Sequence, residues 1–292
     1  MNFSARTWRF NCAVGMGCAV GAVLFGCGGS DAPSFSVSLS TPKYSQPLLL
    51  TVNNISSPVA VTATGCTGLA LSTTAPYVST ATTAYYQCTA STLGAGQFVV
   101  TRVADAAVLS TQPFTVPIPQ VTLTFSNGAA VNGSMVFTLA PAQAPISVTN
   151  FLNYVNTGFY PGTVIHRVSP NFVIQGGGFA APVSDATATL KPTNPPIALE
   201  VGVGLSNLQW TVAMARTSDP NSATSQFFIN LVDNTSLDTL SGGYAVFGSV
   251  TTNTALVTQI AAAPCVAIKG FTSPGECIPV PNVVITAASQ TQ

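Results

Sequence analysis

Arg167 and Gln175 are the residues whose types and placement best suit catalysis. They fall on two short predicted strands, 163–168 and 172–175, separated only by the Ser-Pro-Asn turn at 169–171. Side chains alternate between the two faces of a strand, so a hairpin here brings the Arg and Gln sides together. A guanidinium is always charged, and its planar fork can be held rigidly by an acceptor such as the Gln175 amide. Such a fixed donor can stabilise a transition state without a nucleophile.

The residues around this hairpin argue against other chemistries. His166, the chain's one histidine, adjoins Arg167 and is predicted to point to the opposite face of the strand, so we interpret it as structural and not as a base. With no second histidine and only eight acidic residues, a Ser-His-Asp hydrolase has little to build on. The glycines at 176–178 lack the spacing and the Lys-Ser/Thr ending of a phosphate-binding loop, and we predict a tight turn there.

The hairpin belongs to a longer stretch, 150–179, that reads NFLNYVNTGFYPGTVIHRVSPNFVIQGGGF. This stretch closely resembles the signature region of cyclophilins, the peptidyl-prolyl isomerases. Similarity continues through 210–230 and 244–250, and it covers about the last three fifths of the chain. The pieces Asn-Pro-Pro-Ile and Met-Ala-Arg-Thr are most similar to the periplasmic bacterial branch of the family.

The resemblance implies an enzyme that rotates X-Pro peptide bonds and needs no cofactor. Uncatalysed rotation faces a barrier of about 20 kcal/mol because amide resonance is lost at the twisted midpoint. By match to the family, Arg167 donates a hydrogen bond to the proline nitrogen at that midpoint, and Gln175 holds Arg167. The residues that the family match assigns to the proline slot and the adjoining peptide groove are Phe172, Val173, Ala215, Gln226, Phe228, Leu237 and Tyr244.

Two positions depart from the family pattern at the slot. Ser236 stands where many members carry Trp, and Val173 replaces the more frequent Met. We expect Ser236 to weaken one wall of the slot. The consequence should fall on inhibitor affinity and substrate grip more than on catalysis.

Composition bounds the class of protein. The chain has 292 residues, of which 47% are hydrophobic and only 5% are charged, so it can bury a sizeable core. Eight basic and eight acidic residues give a formal net charge of zero. The absence of a basic patch in the sequence argues against nucleic acid as a partner.

The first 34 residues have the pattern of an export signal and a tether. Arg6 and Arg9 precede a largely apolar run, 12–26, and Leu-Phe-Gly-Cys then ends at Cys27. We predict a lipoprotein signal peptide over 1–26, a diacylated Cys27 and a tether over 27–34. An ordinary cleaved signal is the alternative, and a spanning helix would need a longer run. Gly28 after Cys27 is similar to the sorting pattern for the outer membrane, so we expect a lipid-anchored protein of the bacterial envelope, on the periplasmic side of the outer membrane.

Cysteine usage agrees with an oxidising compartment. Cys12 and Cys18 leave with the signal and Cys27 carries lipid, which leaves four cysteines and three possible pairings. We predict the two local pairings, which keep one bridge in each part of the chain. A zinc site is not predicted, because no Cys-x-x-Cys spacing occurs and the chain has one histidine. The predicted bridges are Cys66 with Cys88 and Cys265 with Cys277.

The fold class predicted is mainly β, in two domains. Residues 35–118 contain short alternating runs that predict a small immunoglobulin-like β-sandwich, with a connector at 114–119. Residues 119–292 contain many strands and two helices, consistent with the closed eight-stranded barrel, capped by two helices, that the resemblance implies. The first helix has Pro145 in its first turn. The predicted strands are 35–40, 48–52, 59–61, 85–88 and 98–102 in the first part, and 120–125, 133–139, 163–168, 172–175, 210–215, 225–230, 244–250 and 280–286 in the second.

The predicted function is isomerisation of X-Pro bonds in unfolded or partly folded envelope proteins, by a monomer. Two alternatives stay open at this point. One is a weakly active or inactive peptide-binding module, which Ser236 favours. The other is an adhesion or structural lipoprotein that acts through its first domain, for which fold analogy names no ligand.

Overall fold

The structure, a computed structural model, describes residues 34–184, 187–268 and 272–292. The predicted signal peptide and Cys27 lie outside the described residues, as does most of the predicted tether. Strands far outnumber helices in the described chain, because alternating apolar and polar residues let every second side chain face a core. Within the described ranges no helix is both long enough and apolar enough to cross a membrane.

The part before Pro117 contains seven strands in two antiparallel sheets. Their bounds are β1 Ser36–Leu39, β2 Pro47–Asn53, β3 Val59–Thr64, β4 Cys66–Leu71, β5 Thr83–Ala90, β6 Gly94–Arg102 and β7 Val108–Val116. One sheet has the order β1-β2-β5-β4 and the other β3-β6-β7. Leu48 and Leu50 of the first sheet share an apolar core with Phe98 of the second. Every strand predicted here is present, whereas the immunoglobulin-like sandwich and the domain boundary after 118 stay predictions.

The connector is shorter than the predicted segment 114–119. β7 continues through Phe114 to Val116, and both of these side chains are buried. Phe114 and Val116 alternate toward the core, so pairing with β6 continues until Pro117, which has no N–H for the ladder. The predicted Cys66–Cys88 bridge is present, with Cα atoms 5.8 Å apart, and it joins the neighbouring strands β4 and β5 of one sheet.

The second part forms a closed barrel. Its strands are β8 Gln120–Ser126, β9 Asn132–Leu139, β10 Thr163–Ser169, β11 Val173–Ala180, β12 Thr189–Leu190, β13 Thr211–Met214, β14 Phe227–Asn230, β15 Val246–Thr252, β16 Cys265–Val266, β17 Ile278–Pro279 and β18 Val284–Gln290. Eight of them follow the order β10-β18-β8-β9-β15-β13-β14-β11, and β11 pairs back to β10. The predicted eight-stranded closed barrel is therefore confirmed.

Two helices pack against the barrel, α1 Pro145–Asn156 and α2 Thr254–Ala261. Pro145 suits the first turn of α1 because its missing N–H would have no partner there. The next two backbone N–H groups donate to the Glu200 carboxylate at 2.9 and 2.6 Å. Phe151 on the buried face of α1 enters the barrel core, and its ring centroid lies 5.0 Å from that of Phe247. The helices thus close a core of aromatic rings.

Two predictions about strands are wrong. The closing strand was predicted over 280–286 but spans Val284–Gln290, because Pro281 cannot donate to a ladder. The glycines at 176–178 lie inside β11 and form no tight turn. A Cβ at Gly178 would stand 2.6 Å from the Gln226 side chain. Glycine is needed there for close approach of the neighbouring strand.

Candidate active site

Paired strands place the predicted catalytic residues in one row on one face of the barrel. Arg167 on β10 is the register partner of Gln175 on β11, and Gln175 is in turn the register partner of Phe228 on β14. Val173 lies two residues before Gln175 and therefore shares its face. The hairpin predicted from the sequence thus brings Arg167 and Gln175 together.

The Arg167 guanidinium is held from two sides. Its Nη1 donates to Gln175 Oε1 at 3.0 Å. Its Nε donates to Glu276 Oε1 at 2.7 Å, and its Nη2 lies 2.5 Å from the same oxygen. Among the described residues these are its only hydrogen bonds to protein. A guanidinium has five N–H groups, so one on Nη1 and one on Nη2 stay available to a bound molecule.

Beside the guanidinium lies a pocket of about 250 Å³, lined by apolar side chains together with polar ones. Phe228 and Val173 are 4% and 1% exposed, and they belong to a small apolar cluster separate from the main core. The Arg167 guanidinium carbon lies 5.8 Å from the Phe172 ring centroid. The residues that line this pocket, called the apolar pocket below, are Arg167, Phe172, Val173, Gln175, Ala215, Arg216, Phe228, Leu237, Leu240 and Tyr244.

One side of the apolar pocket comes from a 3-10 turn, Thr235–Asp238, which carries the buried Leu237. Asp238 anchors this turn by accepting hydrogen bonds from the Ser206 hydroxyl and, at 2.8 Å, from the backbone N–H of Asn207. Burial acts to raise the pKa of Asp238, but these hydrogen bonds outweigh it and lower the pKa below its ordinary value. Ser236 on the same turn is exposed and does not line the apolar pocket. Its effect on substrate grip stays a prediction.

Arg216 fixes the rim of the apolar pocket. Its guanidinium carbon stands 4.3 Å from the Tyr244 ring centroid, a cation–π contact. The same group donates to the carbonyls of Gly243, at 2.8 Å from Nη2, and of Ser241, also at 2.8 Å. Tyr244 packs edge-on against Phe228, with ring centroids 5.8 Å apart. Arg216 therefore ties the loop at 240–244 to the pocket's aromatic wall.

A second pocket, of about 410 Å³, lies on the other side of Arg167. Gln226 lines it and accepts a hydrogen bond from Gln175 Nε2 at 2.9 Å. His166 also lines this second pocket, and its ring centroid is 4.8 Å from that of Phe179. Burial lowers the pKa of His166 to about 4. The ring is therefore neutral at physiological pH.

The prediction that His166 and Arg167 point to opposite faces is wrong. Both residues line the second pocket. The register between β10 and β11 shifts between Ile165 and Arg167, so strict alternation fails at this bulge. The interpretation of His166 as a structural residue stays a prediction.

The structure brings together the site residues named from the sequence and adds three. Eight predicted residues line the apolar pocket, and Gln226 lines the second pocket; their roles stay predictions. Sequence reasoning missed Arg216, Leu240 and Glu276. The Met-Ala-Arg-Thr piece contains Arg216 and could have signalled it. No pattern in the sequence signals Glu276, which is 109 residues from Arg167.

The predicted Cys265–Cys277 bridge is present, with Cα atoms 5.5 Å apart. Cys277 directly follows Glu276. Its backbone pairs with Val168, the residue after Arg167, through hydrogen bonds of 2.8 and 3.0 Å. The bridge therefore lies beside the ion pair of Arg167 with Glu276.

Comparison with known proteins matches this part of the chain to one family. The model of the cyclophilin type peptidyl-prolyl cis-trans isomerases matches residues 121–290. Peptidyl-prolyl cis-trans isomerase A of Dickeya dadantii is 46% identical over 149 residues, which are 50% of this chain and 76% of that protein. A peptidyl-prolyl cis-trans isomerase of Acinetobacter baylyi is 48% identical over 134 residues, 45% of this chain and 69% of that protein. The isomerase cyp18 of Streptomyces antibioticus is 45% identical over 161 residues, 53% of this chain and 92% of that protein.

The chain belongs to the cyclophilin-type peptidyl-prolyl cis-trans isomerase family. The matched residues span the barrel, both helices and the Arg167 site. The seven strands before Pro117 lie outside the family match.

Proposed function

We propose that this protein accelerates cis–trans rotation about X-Pro peptide bonds. The observation that carries the proposal is Arg167, held by Gln175 at the edge of an apolar pocket in a member of this family. The reaction needs an apolar site that binds the proline ring and a hydrogen-bond donor close to the proline nitrogen. It needs no nucleophile, base or metal.

The grip comes from the apolar pocket. A proline ring is apolar and rigid, so it binds where Phe172, Val173 and Phe228 form an apolar cluster. The peptide on either side of the proline then runs past Arg167 toward the second pocket, where Gln226 offers an amide for its backbone. Binding to the apolar pocket does not by itself raise kcat, because the pocket binds the cis and trans ground states as tightly as the twisted midpoint.

The rate increase comes from Arg167. At the twisted midpoint, resonance no longer delocalises the lone pair of the proline nitrogen, and that nitrogen becomes a hydrogen-bond acceptor. The N–H groups of Arg167 that Gln175 and Glu276 leave available can donate to it. The donor matters mainly in the twisted state, which is the condition for raising kcat.

We further propose that the enzyme acts in the bacterial envelope, anchored by lipid on Cys27. The signal pattern at 1–26 and the two disulfides support an oxidising compartment. The clients are then proline-containing envelope proteins that are still folding. In a fractionation experiment, Cys27→Ser should move the protein out of the membrane fraction, and a variant that stays fully membrane-bound contradicts the lipid anchor.

The test of the enzymatic proposal is a cis–trans assay on a short proline peptide with the chain from Ser34 onward. Uncatalysed rotation takes about 10 to 100 s at 25 °C, so acceleration is easily seen. We expect exchange that speeds up in proportion to protein concentration. Peptide binding without acceleration would instead favour a peptide-binding module.

A further inference from the structure

Glu276 contacts the guanidinium but not the apolar pocket. Its Oε1 accepts from Arg167 Nε at 2.7 Å and lies 2.5 Å from Nη2, while its Oε2 accepts from the Ser273 N–H at 3.2 Å. The side chains of Arg167 and Glu276 are 29% and 13% exposed. Glu276 lines the second pocket and is absent from the lining of the apolar pocket. Its link to the apolar pocket therefore runs through Arg167.

The backbone around Glu276 is tied to the backbone around Arg167. Val168 and Cys277, the residues that follow them, exchange two backbone hydrogen bonds. Cys277 is also bridged to Cys265, and Glu276 closes a turn by donating its N–H to Ser273 at 3.0 Å. The Glu276 carboxylate and the Arg167 guanidinium thus lie on segments whose backbones are paired. Little conformational entropy is therefore lost when the two side chains come into contact.

Gln175 alone does not fix the guanidinium. It contacts only Nη1, and the second pocket leaves open space on the far side of Arg167. Glu276 occupies Nε and Nη2 and blocks rotation into that space. A donor that must meet a nitrogen only at the twisted midpoint gains most from such preorganisation, because misplacement by about 1 Å can cost 10²-fold in rate.

We propose that Glu276 is a positioning residue for Arg167, held in place by the Cys265–Cys277 bridge beside it, and that turnover depends on it. The inference rests on the proposed isomerase function of the same site. The negative charge of Glu276 works against this role, because it offsets the charge that Arg167 offers to the midpoint. The geometric effect of Glu276 on Arg167 outweighs this effect of its charge.

Two variants separate geometry from charge. Glu276→Gln keeps an oxygen acceptor at the same reach and removes the charge, whereas Glu276→Ala removes both. We expect kcat to fall about tenfold in Glu276→Ala with KM changed less than about twofold, and Glu276→Gln to stay within about threefold of the wild-type kcat. Glu276→Ala with unchanged kcat, or Glu276→Gln with kcat as low as the Ala variant, overturns the proposal.

The chain offers a matched control in its other glutamate. Glu200 also accepts two hydrogen bonds, from the first turn of α1. Glu200→Ala should lower thermal stability without changing kcat.

A second comparison uses the two disulfides. Cys265→Ser with Cys277→Ser should lower kcat, while Cys66→Ser with Cys88→Ser should not, and equal effects of both pairs contradict the role proposed for the Cys265–Cys277 bridge.

A readout independent of turnover keeps this test separate from that of the enzymatic function. In ¹⁵N NMR, the Arg167 Nε–H resonance should show restricted motion in the wild type and in Glu276→Gln, and it should broaden or become mobile in Glu276→Ala. An Arg167 that stays equally ordered in Glu276→Ala refutes the positioning role. If the wild type is ordered at Arg167 but does not accelerate isomerisation, the enzymatic proposal fails while the positioning of Arg167 stands.

Discussion

At the scale of single residues, the site depends on how one cation is restrained. Arg167 faces an amide on one side and a carboxylate on the other, and hydrogen bonding from Arg167 lowers the pKa of Glu276 below its ordinary value. The pairing of Arg167 with Gln175 was predictable, since they lie eight residues apart on one hairpin. The contact with Glu276 was not, because no local spacing rule connects residues on distant segments.

The single histidine gives a prediction for stability against pH. Burial lowers the pKa of His166 to about 4, whereas the unfolded value is about 6.5. Below pH 6.5, His166 binds a proton in the unfolded chain but stays neutral in the folded chain. The free energy of unfolding therefore falls as pH falls from about 6.5 toward 4. Between pH 7 and pH 5 we expect a loss of about 2 kcal/mol in the free energy of unfolding.

Urea unfolding at both pH values measures this loss. Carboxylates contribute little in this window, because their unfolded pKa values lie near 4. His166→Phe should remove most of the difference between pH 7 and pH 5. A slope that survives in this variant would show that His166 is not its source.

At the scale of elements, the barrel supplies a rigid row of residues and the loops supply the rest of the pocket. Strand existence was largely predictable from alternation, as for Gln120–Ser126 with its buried Val121, Leu123 and Phe125. The conformation of residues that pack closely between strands could not be predicted in this way. Strand β11 carries glycines at 176–178 because neighbouring side chains come too close for a Cβ, a reason that no local pattern contains.

The loop at 240–244 gives a prediction at this scale. Arg216 holds it through backbone carbonyls and through the Tyr244 ring, so its loss should loosen the rim without moving Arg167. For Arg216→Ala we expect KM to rise about fivefold or more with kcat nearly unchanged, since a rim residue contributes to uniform binding. Steady-state kinetics on a proline peptide checks this.

Arg102→Ala is the control for that variant. Arg102 is an exposed arginine that pairs with Asp105 three residues away, and its removal should leave both constants unchanged. An Arg216→Ala variant with wild-type KM and a reduced kcat would place Arg216 in the chemistry instead of at the rim.

At the scale of the whole molecule, the last strand joins the barrel to the part before it. Gln290 at the end of β18 is buried and donates to the carbonyl of Tyr44 at 3.0 Å, while Asn156 of α1 donates to its Oε1 at 2.9 Å. Lys43 Nζ donates to the Gln290 carbonyl at 2.8 Å. The sequence predicted two parts but not this junction, because its partners lie about 250 residues apart.

Gln290→Ala tests the junction. The substitution leaves buried polar groups without partners, so we expect the free energy of unfolding to fall by about 1 to 3 kcal/mol. Gln97→Ala, an exposed strand glutamine on β6, should change it by less than about 0.5 kcal/mol. Equal values for the two variants would mean that the junction adds no stability.

Arg167 acts as a preorganised donor, and kcat/KM for Arg167→Lys beside Arg167→Ala in a cis–trans assay tests this role. Lys keeps the positive charge but loses the planar fork that Gln175 and Glu276 hold. We predict that both variants lose about 10² or more in kcat/KM. A Lys variant close to wild type would show that charge alone suffices, and an unimpaired Ala variant would show that Arg167 is not the catalytic residue.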